Sequence, residues 1–493
     1  MAKTAVKKVV VVGAGMGGLC AAIRLAAAGL SVTLVEAQGT PGGKMRAVAS
    51  DAGPVDAGPT VLTLRAVFEA VFAVAGERLE DHLTLIPQPI LARHWWPDGS
   101  QLDLFTDPTQ SAATIEGFAG PKAAQQFLRF NALSAQLYQA FEATVMLSNK
   151  PRFGGILANT LRSPALWSTL LPQQTLARQL CQSFADPRLR QLFGRYATYV
   201  GGAPDRSPAV LALIWQAEAQ GVWAVQGGMH ALARALAGVA DRLGVAQFYG
   251  TPVENIAQKA GRVAQVILSD GRTLACDAVV FNGDPAALEQ GLLGADAQLS
   301  VPRAAVHPRS LSAWVWSFAA QPKGADLIHH NVFFNADPTD EFGPIAQGKM
   351  PQDATLYVCA QDRALGPATG LERFEIILNA PAKTTLSPHE VLECRAKTFP
   401  TLAKFGLTFS PQPPDTALMT PQGFATRFPG SQGALYGRSP HGALASFQRP
   451  TARTRLRGLY LAGGGAHPGA GVPMAALSGK HAAEAILNDL TLA

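Results

Sequence analysis

Charge, cysteine and long apolar runs are all scarce in this sequence. Of its 493 residues, 15% are charged and 48% are hydrophobic, which is apolar for a soluble enzyme but not the composition of a membrane protein. The cysteines lie far apart and form no CxxC pair, which excludes a disulfide framework and favours a reducing compartment. They are Cys20, Cys181, Cys276, Cys359 and Cys394, and we expect no bound metal.

Other signals are missing as well. No uninterrupted helical span of about 20 apolar residues is present, so no transmembrane helix is predicted. The N-terminal apolar run leads into a glycine turn and not into a cleavage site, so a signal peptide is not predicted either. Basic and aromatic residues do not interleave as in nucleic-acid-binding modules. We therefore connect the net charge of +6 with an anionic membrane surface and expect no nucleic-acid partner.

What is present begins with a dinucleotide-binding unit. The apolar run Lys8–Val12 predicts a buried parallel strand, and it leads into GAGMGG, where Gly13, Gly15 and Gly18 match G-x-G-x-x-G. These glycines permit a tight turn, close approach to a pyrophosphate and close packing of helix on strand, and the helix N terminus attracts phosphate. Glu36 ends the next predicted strand, where an acid can accept hydrogen bonds from a ribose.

The motif alone does not separate NAD from FAD, but the next segment adds information. A glycine pair, Gly42 and Gly43, is followed by Lys44 and Arg46, which are placed to meet the same pyrophosphate from the other side. For Arg46 a solvated basic loop is the alternative. The small-residue turn Asp56–Thr60 (DAGPT) is consistent with backbone lying against a flat ring.

The C-terminal stretch from Gly458 to Gly479 contains no charged side chain and is interrupted by repeated glycine and by Pro468 and Pro473. Neither a helix nor a strand favours this composition. Such bare backbone is typical of a chain that passes close to a ligand, and a glycine-rich surface loop is the alternative.

Eight blocks together resemble the carotenoid desaturases of the phytoene-desaturase type, FAD enzymes related to the amine oxidases. The blocks are GAGMGGL, EAQGTPGGKM, DAGPTVLT, FGRYATYVGGAP, GVWAVQGGMHAL, HHNVFF, FPGSQGALYG and GLYLAGGGAHPGAGVPMAALSGKHAAEAI, and they extend over nearly the whole chain. GGGAHPGAGVPMA with FPGSQGALYGRSPHG is most similar to the 1-hydroxycarotenoid 3,4-desaturases, also called hydroxyneurosporene or methoxyneurosporene dehydrogenases. Met474 stands where phytoene desaturases more usually carry glycine.

The resemblance implies an α/β fold. It consists of a Rossmann-type FAD-binding domain like that of amine oxidases and phytoene desaturases, an inserted α+β substrate domain, and a helical segment that is a candidate for membrane association. The FAD-binding domain is expected to comprise residues 1–86, 225–295 and 441–493. The substrate domain is expected to comprise residues 87–110 and 296–440, and the helical segment residues 111–224.

The resemblance also implies how FAD is bound. Gly464 would pass near the ribityl and phosphate groups, Val472 and Met474 would lie beside the isoalloxazine ring, and Val253 would contact the adenine. A helix from Ala475 would direct its N terminus at the N1/O2 edge of the flavin and stabilise negative charge there.

The candidate substrate-binding residues are Tyr196, Tyr199, Trp314, Trp316 and His330. Trp314 and Trp316 alternate on one face of a predicted strand, a pattern that fits a core as well as a polyene pocket. His330 is a candidate to hydrogen-bond a terminal oxygen, and a structural role is its alternative.

Residues 143–185 include four cations and no acid, together with Trp167 and several aliphatic side chains. This composition is typical of a helix at a membrane interface, where each cation adds about 1 kcal/mol against anionic lipid. A buried helical subdomain is the alternative. We expect a cytoplasmic protein attached peripherally to the inner, photosynthetic membrane.

The reaction implied is the introduction of a C-3,4 double bond into an acyclic 1-hydroxy or 1-methoxy carotenoid such as hydroxyneurosporene. A hydride passes to flavin N5 and a neighbouring proton is lost. The resemblance implies no catalytic triad, and the proton acceptor is expected to be a carboxylate or water. Asp56 and Glu218 are the candidate carboxylates, and a structural role is the alternative for each. The alternatives are desaturation of an unhydroxylated carotenoid such as phytoene or neurosporene, a redox-neutral FAD-dependent carotenoid isomerase, and a binding protein without catalysis.

Overall fold

A computed structural model describes residues 7–151, 154, 166, 167, 169, 171, 173–442 and 445–491. Its first sheet is parallel and contains five strands in the order Leu459–Leu461, Ala278–Phe281, Lys8–Val12, Ser31–Val35 and Ala246–Phe248. These strands come from three separate stretches of sequence. The α/β fold class predicted from the sequence is confirmed, whereas the exact segment boundaries remain a prediction.

The parallel sheet is covered on both faces, which explains its continuous apolar runs. Four helices form one cover: Met16–Ala27, Arg65–Val74, His230–Arg242 and Val472–Thr491. On the other face lies a three-stranded antiparallel sheet of Val253–Lys259, Arg262–Leu268 and Thr273–Ala275.

The helices Met16–Ala27 and Val472–Thr491 cross at glycines. A Cβ atom on Gly479 would lie 2.2 Å from the carbonyl oxygen of Gly17, so only glycine permits this approach. The crossing joins the two ends of the chain beside the first turn.

The second sheet has eight strands and is mostly antiparallel. Seven follow the order Thr408–Ser410, Ser312–Lys323, Glu372–Ala380, Leu356–Ala360, His330–Phe333, Ile90–Trp95 and Gln101–Phe105, and Leu418–Met419 pairs with the second of them. A tight turn at Asp98 and Gly99 joins the last two of the seven strands into a hairpin. One face packs against the helix Pro388–Lys404, and the other faces a cavity.

The helical segment packs around buried aromatic rings. Its helices are Pro108–Ala119, Pro121–Phe141, Leu176–Ser183, Pro187–Gly194 and Leu213–Ala219. Side chains of Asp107, Thr175 and Asp186 accept hydrogen bonds from the first turn of three of them. Among the helices that the structure describes, none combines the length and the apolar character needed to cross a bilayer.

The remaining elements are short. The paired strands are Ala47–Val48 with Val55–Asp56 and Leu85–Pro87 with Trp223–Val225. In the described part of the chain, the other α-helices are Pro285–Glu289, Ala295–Gln298, Thr339–Ala346 and Pro421–Arg427, and one π-helical turn covers Glu142–Met146.

Candidate active site

One cavity of about 1370 Å³ extends from the carboxyl edge of the parallel sheet to the open face of the large sheet. Segments far apart in sequence meet at its wall. The predicted cofactor residues that line it are Gly13, Gly15, Glu36, Gly43, Lys44, Val253, Gly464 and Val472. The structure therefore brings most of the residues expected to contact FAD to one surface.

The first turn leaves no room for side chains. Gly13 has a φ of 101°, a conformation that favours glycine, and a Cβ on Gly18 would lie 2.0 Å from the carbonyl oxygen of Gly13. Gly18 thus serves the close packing of helix on strand and does not itself line the cavity. A Cβ on Gly17 would lie 2.5 Å from the backbone nitrogen of Gly463, so the C-terminal loop presses directly on this turn.

Glu36 is fixed over the turn by backbone donors. Its Oε2 accepts a hydrogen bond from the Ala14 N–H at 2.7 Å, and its Oε1 accepts one from the Gln38 N–H at 2.8 Å. Burial raises the pKa of this carboxyl group, while the backbone donors oppose the shift. The side chain lies at the cavity wall with lone pairs remaining for a ribose hydroxyl.

Buried cations surround the middle of the cavity. Burial lowers the pKa of Lys44 to about 8; Asp284 opposes this shift, and Arg309 and Arg449 add to it. Lys44 donates to the Leu435 carbonyl at 2.5 Å, and Arg449 donates to the Gly464 carbonyl at 2.9 Å. Asp284 forms a salt bridge with Arg309 and so offsets only part of this positive charge.

This arrangement fits FAD. Uncompensated buried charge is costly, and the diphosphate of a dinucleotide would supply the missing negative charge. Glycine backbone at Gly13, Gly15 and Gly43 leaves the space that such a group needs, and the long C-terminal helix begins at the cavity wall at Val472. Val253 and Glu36 would then hold the adenosine end.

Arg46 and Met474 are not among the lining residues. Arg46 is buried beside Glu375 and Arg427, and its Nε has no hydrogen-bond partner. Met474 lies in the first turn of the C-terminal helix and faces Gly471. Direct contact of these two side chains with the cofactor stays a prediction.

The far end of the cavity mixes apolar side chains with a cluster of hydroxyl and charged groups. Tyr199 and Glu218 line it, and Arg195 donates to the Tyr199 hydroxyl at 2.7 Å. Tyr196 lies behind the wall and donates to Glu218 Oε2 at 2.6 Å. Burial raises the pKa of both tyrosines, so they remain neutral hydrogen-bonding groups.

The structure places Trp314 and Trp316 away from the cavity. Both belong to the core between the large sheet and the helix Pro388–Lys404, where Trp316 meets Phe399 edge-on with ring centroids 5.1 Å apart. Because side chains alternate along a strand, Ala313 and Val315 face the cavity instead. The expectation that these tryptophans line the substrate site is therefore corrected in favour of its structural alternative.

His330 and Asp56 are also set back from the cavity. His330 Nδ1 lies 2.7 Å from the Tyr357 hydroxyl, which lies 2.7 Å from Thr60 Oγ1, so His330 reaches the cavity through Tyr357. Asp56 accepts hydrogen bonds from the N–H groups of Met229 and His230 at 2.5 and 3.2 Å. Asp56 thereby satisfies free N–H groups at the start of the helix His230–Arg242, which is a structural role.

Sequence reasoning missed one polar face of the wall. Glu375, Ile377 and Asn379 alternate along the strand Glu372–Ala380 and line the cavity, as does Tyr357 from the neighbouring strand. The signal in the sequence was FEIILNA, where Glu375 and Asn379 interrupt a stretch that is otherwise apolar.

A group of potential metal ligands lies beside Tyr357 on the same sheet. Atoms of His329, His330 and Cys359 lie within 4.8 Å of one another, and all three residues are buried. His329 Nδ1 lies 3.1 Å from the Ala360 carbonyl oxygen, and His330 Nδ1 is engaged with Tyr357. The sequence predicts no bound metal. This cluster is the group of described residues whose ligand atoms lie close enough together to hold a metal ion, and the absence of a metal stays a prediction.

Fold and site define a flavoprotein oxidoreductase of the amine-oxidase type. Residues 16–325 match the family described as flavin containing amine oxidoreductase. Putrescine oxidase bound to putrescine superposes with a TM-score of 0.63 at 16% identity, covering 98% of this chain and 99% of that one. A fatty acid isomerase from P. acnes superposes with a TM-score of 0.60 at 13% identity, covering 98% of each chain. These two structures support the fold alone.

Curated relatives are much closer in sequence. The chain is 61% identical to hydroxyneurosporene desaturase of Cereibacter sphaeroides, covering 98% of both proteins, and 58% identical to that of Rhodobacter capsulatus with the same coverage. It is 30% identical to the lycopene-forming phytoene desaturase of a Paracoccus species, covering 99% of both. The chain therefore belongs to the flavin-containing amine oxidoreductases, in the group that contains the hydroxyneurosporene desaturases. It is an FAD-dependent oxidoreductase, and the cofactor predicted from the sequence is confirmed.

Proposed function

We propose that this protein introduces a C-3,4 double bond into an acyclic 1-hydroxy carotenoid such as hydroxyneurosporene. The observation that carries the proposal is one continuous cavity, which connects the glycines expected to bind FAD with aliphatic side chains on the large sheet. A hydrocarbon chain that lies against these side chains would extend towards the cofactor-binding glycines.

The wall suits a long polyene with one polar end. Leu180, Ile214, Val315 and Ile377 supply aliphatic surface, and each buried CH₂ group of a ligand gains about 0.8 kcal/mol there. The Tyr357 hydroxyl and the group formed by Arg195, Tyr199 and Glu218 supply hydrogen bonds for a terminal oxygen.

FAD, when bound, supplies the two-electron acceptor for the reaction. The protein has to hold the cofactor, align the substrate carbons and keep water away. Gly13, Gly15, Gly43 and Gly464 give backbone access to the cofactor, and Lys44 and its neighbouring arginines balance its charge. The N terminus of the helix Val472–Thr491 favours negative charge at the cavity, as the reduced cofactor requires.

We further propose that the protein attaches peripherally to the cytoplasmic face of the photosynthetic membrane, which holds its substrate. Exposed apolar side chains support this: Leu147, Trp167 and Leu171 are 44%, 51% and 58% exposed. Lys150 and Arg178 belong to the same segment, whereas Arg152 and Arg162 lie outside the described residues. At the end of the segment, the side chains of Leu176, Leu180 and Phe184 are buried. This last part therefore supports the alternative interpretation, a buried helical subdomain.

The test compares substrates. The purified protein with FAD is incubated with 1-hydroxyneurosporene, neurosporene and phytoene, and the absorption spectrum of each product is recorded. A red shift by one conjugated double bond with the hydroxylated carotenoid alone is the expected result. An equal shift with neurosporene indicates a desaturase that ignores the hydroxyl group. A product with altered geometry and unchanged chromophore length indicates an isomerase, and either outcome overturns the proposal.

A further inference from the structure

The strand Glu372–Ala380 places the carboxyl group of Glu375 at the cavity wall. This carboxyl group forms no salt bridge with any of the described residues. Glu375 is 0% exposed to solvent and lines the cavity. Neither of its carboxyl oxygens has a hydrogen-bond partner. Buried polar groups in folded proteins are nearly always hydrogen-bonded, so an unpartnered acid in a cavity indicates a chemical role.

The other buried acids of this wall are already engaged, as far as the structure describes the chain. Glu36 is held by backbone N–H groups, Asp284 pairs with Arg309, Glu218 accepts from the Tyr196 hydroxyl, and Glu341 accepts from Asn379 at 2.8 Å. Asp205 and Asp337 are exposed at the surface. Glu375 therefore differs from all of them in that neither of its carboxyl oxygens has a hydrogen-bond partner among the described residues.

The surroundings of Glu375 raise its affinity for a proton. Burial raises the pKa of its carboxyl group well above the usual range, and Asp56 adds to this, while the charge of Arg46 and the backbone N–H of Gly58 oppose it. The other titratable groups that face it are Tyr357, Cys359 and Tyr436, and burial raises the pKa of each and keeps it neutral. Arg427 acts on the site through its repulsion of Arg46.

We propose that Glu375 is the proton acceptor in the desaturation, an assignment that rests on the proposed function. One C–H bond of the carotenoid breaks and its hydrogen leaves with the electron pair, as a hydride, to the oxidised flavin. The C–H bond on the neighbouring carbon gives its proton to the Glu375 carboxylate, and the electron pair left behind forms the new carbon–carbon double bond. Glu375 returns the proton to solvent before the next turnover.

The protonation state gives the proposal a distinct signature. Only the ionised carboxylate can accept the proton, so substrate oxidation becomes faster as pH rises through the raised pKa of Glu375 and then levels off. A structural role for Glu375 predicts no such dependence in the chemical step.

The experiment measures reduction of the bound FAD by 1-hydroxyneurosporene in a single anaerobic turnover, across a range of pH. Glu375→Gln keeps the size of the side chain and removes the base; we expect it to retain FAD and to reduce it at least about 100-fold more slowly, without the rise with pH. Glu375→Asp keeps a carboxylate and retains the rise at an intermediate rate. Glu218→Gln is the competing variant, and it retains the rise as well.

The outcomes separate the proposal from the proposed function. A wild-type protein whose FAD stays oxidised with this carotenoid overturns the proposed function and the assignment together. If the wild type reacts and Glu375→Gln reacts as fast with the same pH profile, or if the rise is lost in Glu218→Gln instead, the assignment alone is overturned. Should Glu375→Gln fail to fold, the wild-type profile decides, because a rate of flavin reduction that does not change with pH over the whole range in which the protein stays folded contradicts a titrating base.

Discussion

Lys44 shows how one residue can link cofactor binding to pH. Its ammonium group is buried, its pKa is lowered to about 8, and Arg309 and Arg449 disfavour its charge. An anionic cofactor favours the charged form. Above about pH 8 the free protein must take up a proton when FAD binds, so FAD affinity falls as pH rises through that value. Below it, Lys44 is already charged and affinity is independent of this group.

Replacement of Lys44 by methionine tests this argument. We expect Lys44→Met to bind FAD about 10-fold more weakly at neutral pH, equal to about 1.4 kcal/mol, and to lose the decline above about pH 8. Titration of the apoprotein with FAD, followed by flavin fluorescence, measures both effects. Lys404→Met removes an exposed lysine at the end of a remote helix and should leave both unchanged. A decline that persists in Lys44→Met would assign the pH dependence to another group.

Trp316 illustrates a residue whose importance is structural. Because it packs against Phe399 on the far side of the large sheet, Trp316→Phe should lower the free energy of unfolding by about 1–3 kcal/mol. Substrate affinity should stay the same, since Val315 and not Trp316 faces the cavity. Thermal unfolding and the KM for 1-hydroxyneurosporene distinguish the two effects. An increased KM at unchanged stability would restore Trp316 as a pocket residue.

At the scale of elements, the close crossing of the helices Met16–Ala27 and Val472–Thr491 fixes the position of the glycine turn that begins at Gly13. Gly479→Ala would bring a Cβ atom to 2.2 Å from the Gly17 carbonyl oxygen, and the helix Val472–Thr491 would have to move. We expect lower thermal stability and a lower FAD content after purification, measured by the ratio of flavin to protein absorbance.

A matched substitution separates this contact from helix propensity. Gly117 lies inside the helix Pro108–Ala119, where an added Cβ meets nothing within 4 Å. Gly117→Ala should be neutral or stabilise the protein by about 0.5–1 kcal/mol, because alanine favours the helix. Equal loss of FAD in both variants would contradict a specific role for the crossing.

At the scale of the whole molecule, a net charge of +6 and the exposed side chains of one segment favour a membrane surface. Wild-type protein should co-sediment with vesicles that contain anionic lipid, and less so at high salt, because exposed charges are screened. The double variant Trp167→Ser/Leu171→Ser should lose most of this binding. Leu392→Ser changes a side chain that is 61% exposed on another helix and is the control. Equal binding of all three proteins would locate the membrane contact elsewhere.

Much of the cofactor site could be predicted from the sequence, because local spacing dictates it. The strand, glycine turn, helix and acid from Lys8 to Glu36 form a continuous unit whose contacts lie within a few residues of one another. The stretch around Gly464 was also noticeable in the sequence, because it has no charged residue and is rich in glycine. Glycine backbone permits close approach to a ligand.

The substrate end could not be predicted in the same way. The strands Ser312–Lys323 and Glu372–Ala380 are buried on both faces, so alternation does not reveal which face meets the cavity. Tryptophan was the conspicuous residue type, yet the side chains at the cavity are Ala313, Val315, Glu375 and Ile377.

The sequence by itself determined the N-terminal dinucleotide-binding unit, because the glycines and the acid of this unit act within their own local turns. The role of the C-terminal glycine stretch in binding the same cofactor was implied by the family resemblance and stays a prediction. Only the tertiary structure decided which side chains face the substrate. Pairing between strands that lie from tens to more than 200 residues apart sets the orientation of the large sheet over the cavity, and with it the position of Glu375 beside Gly58 and Arg46.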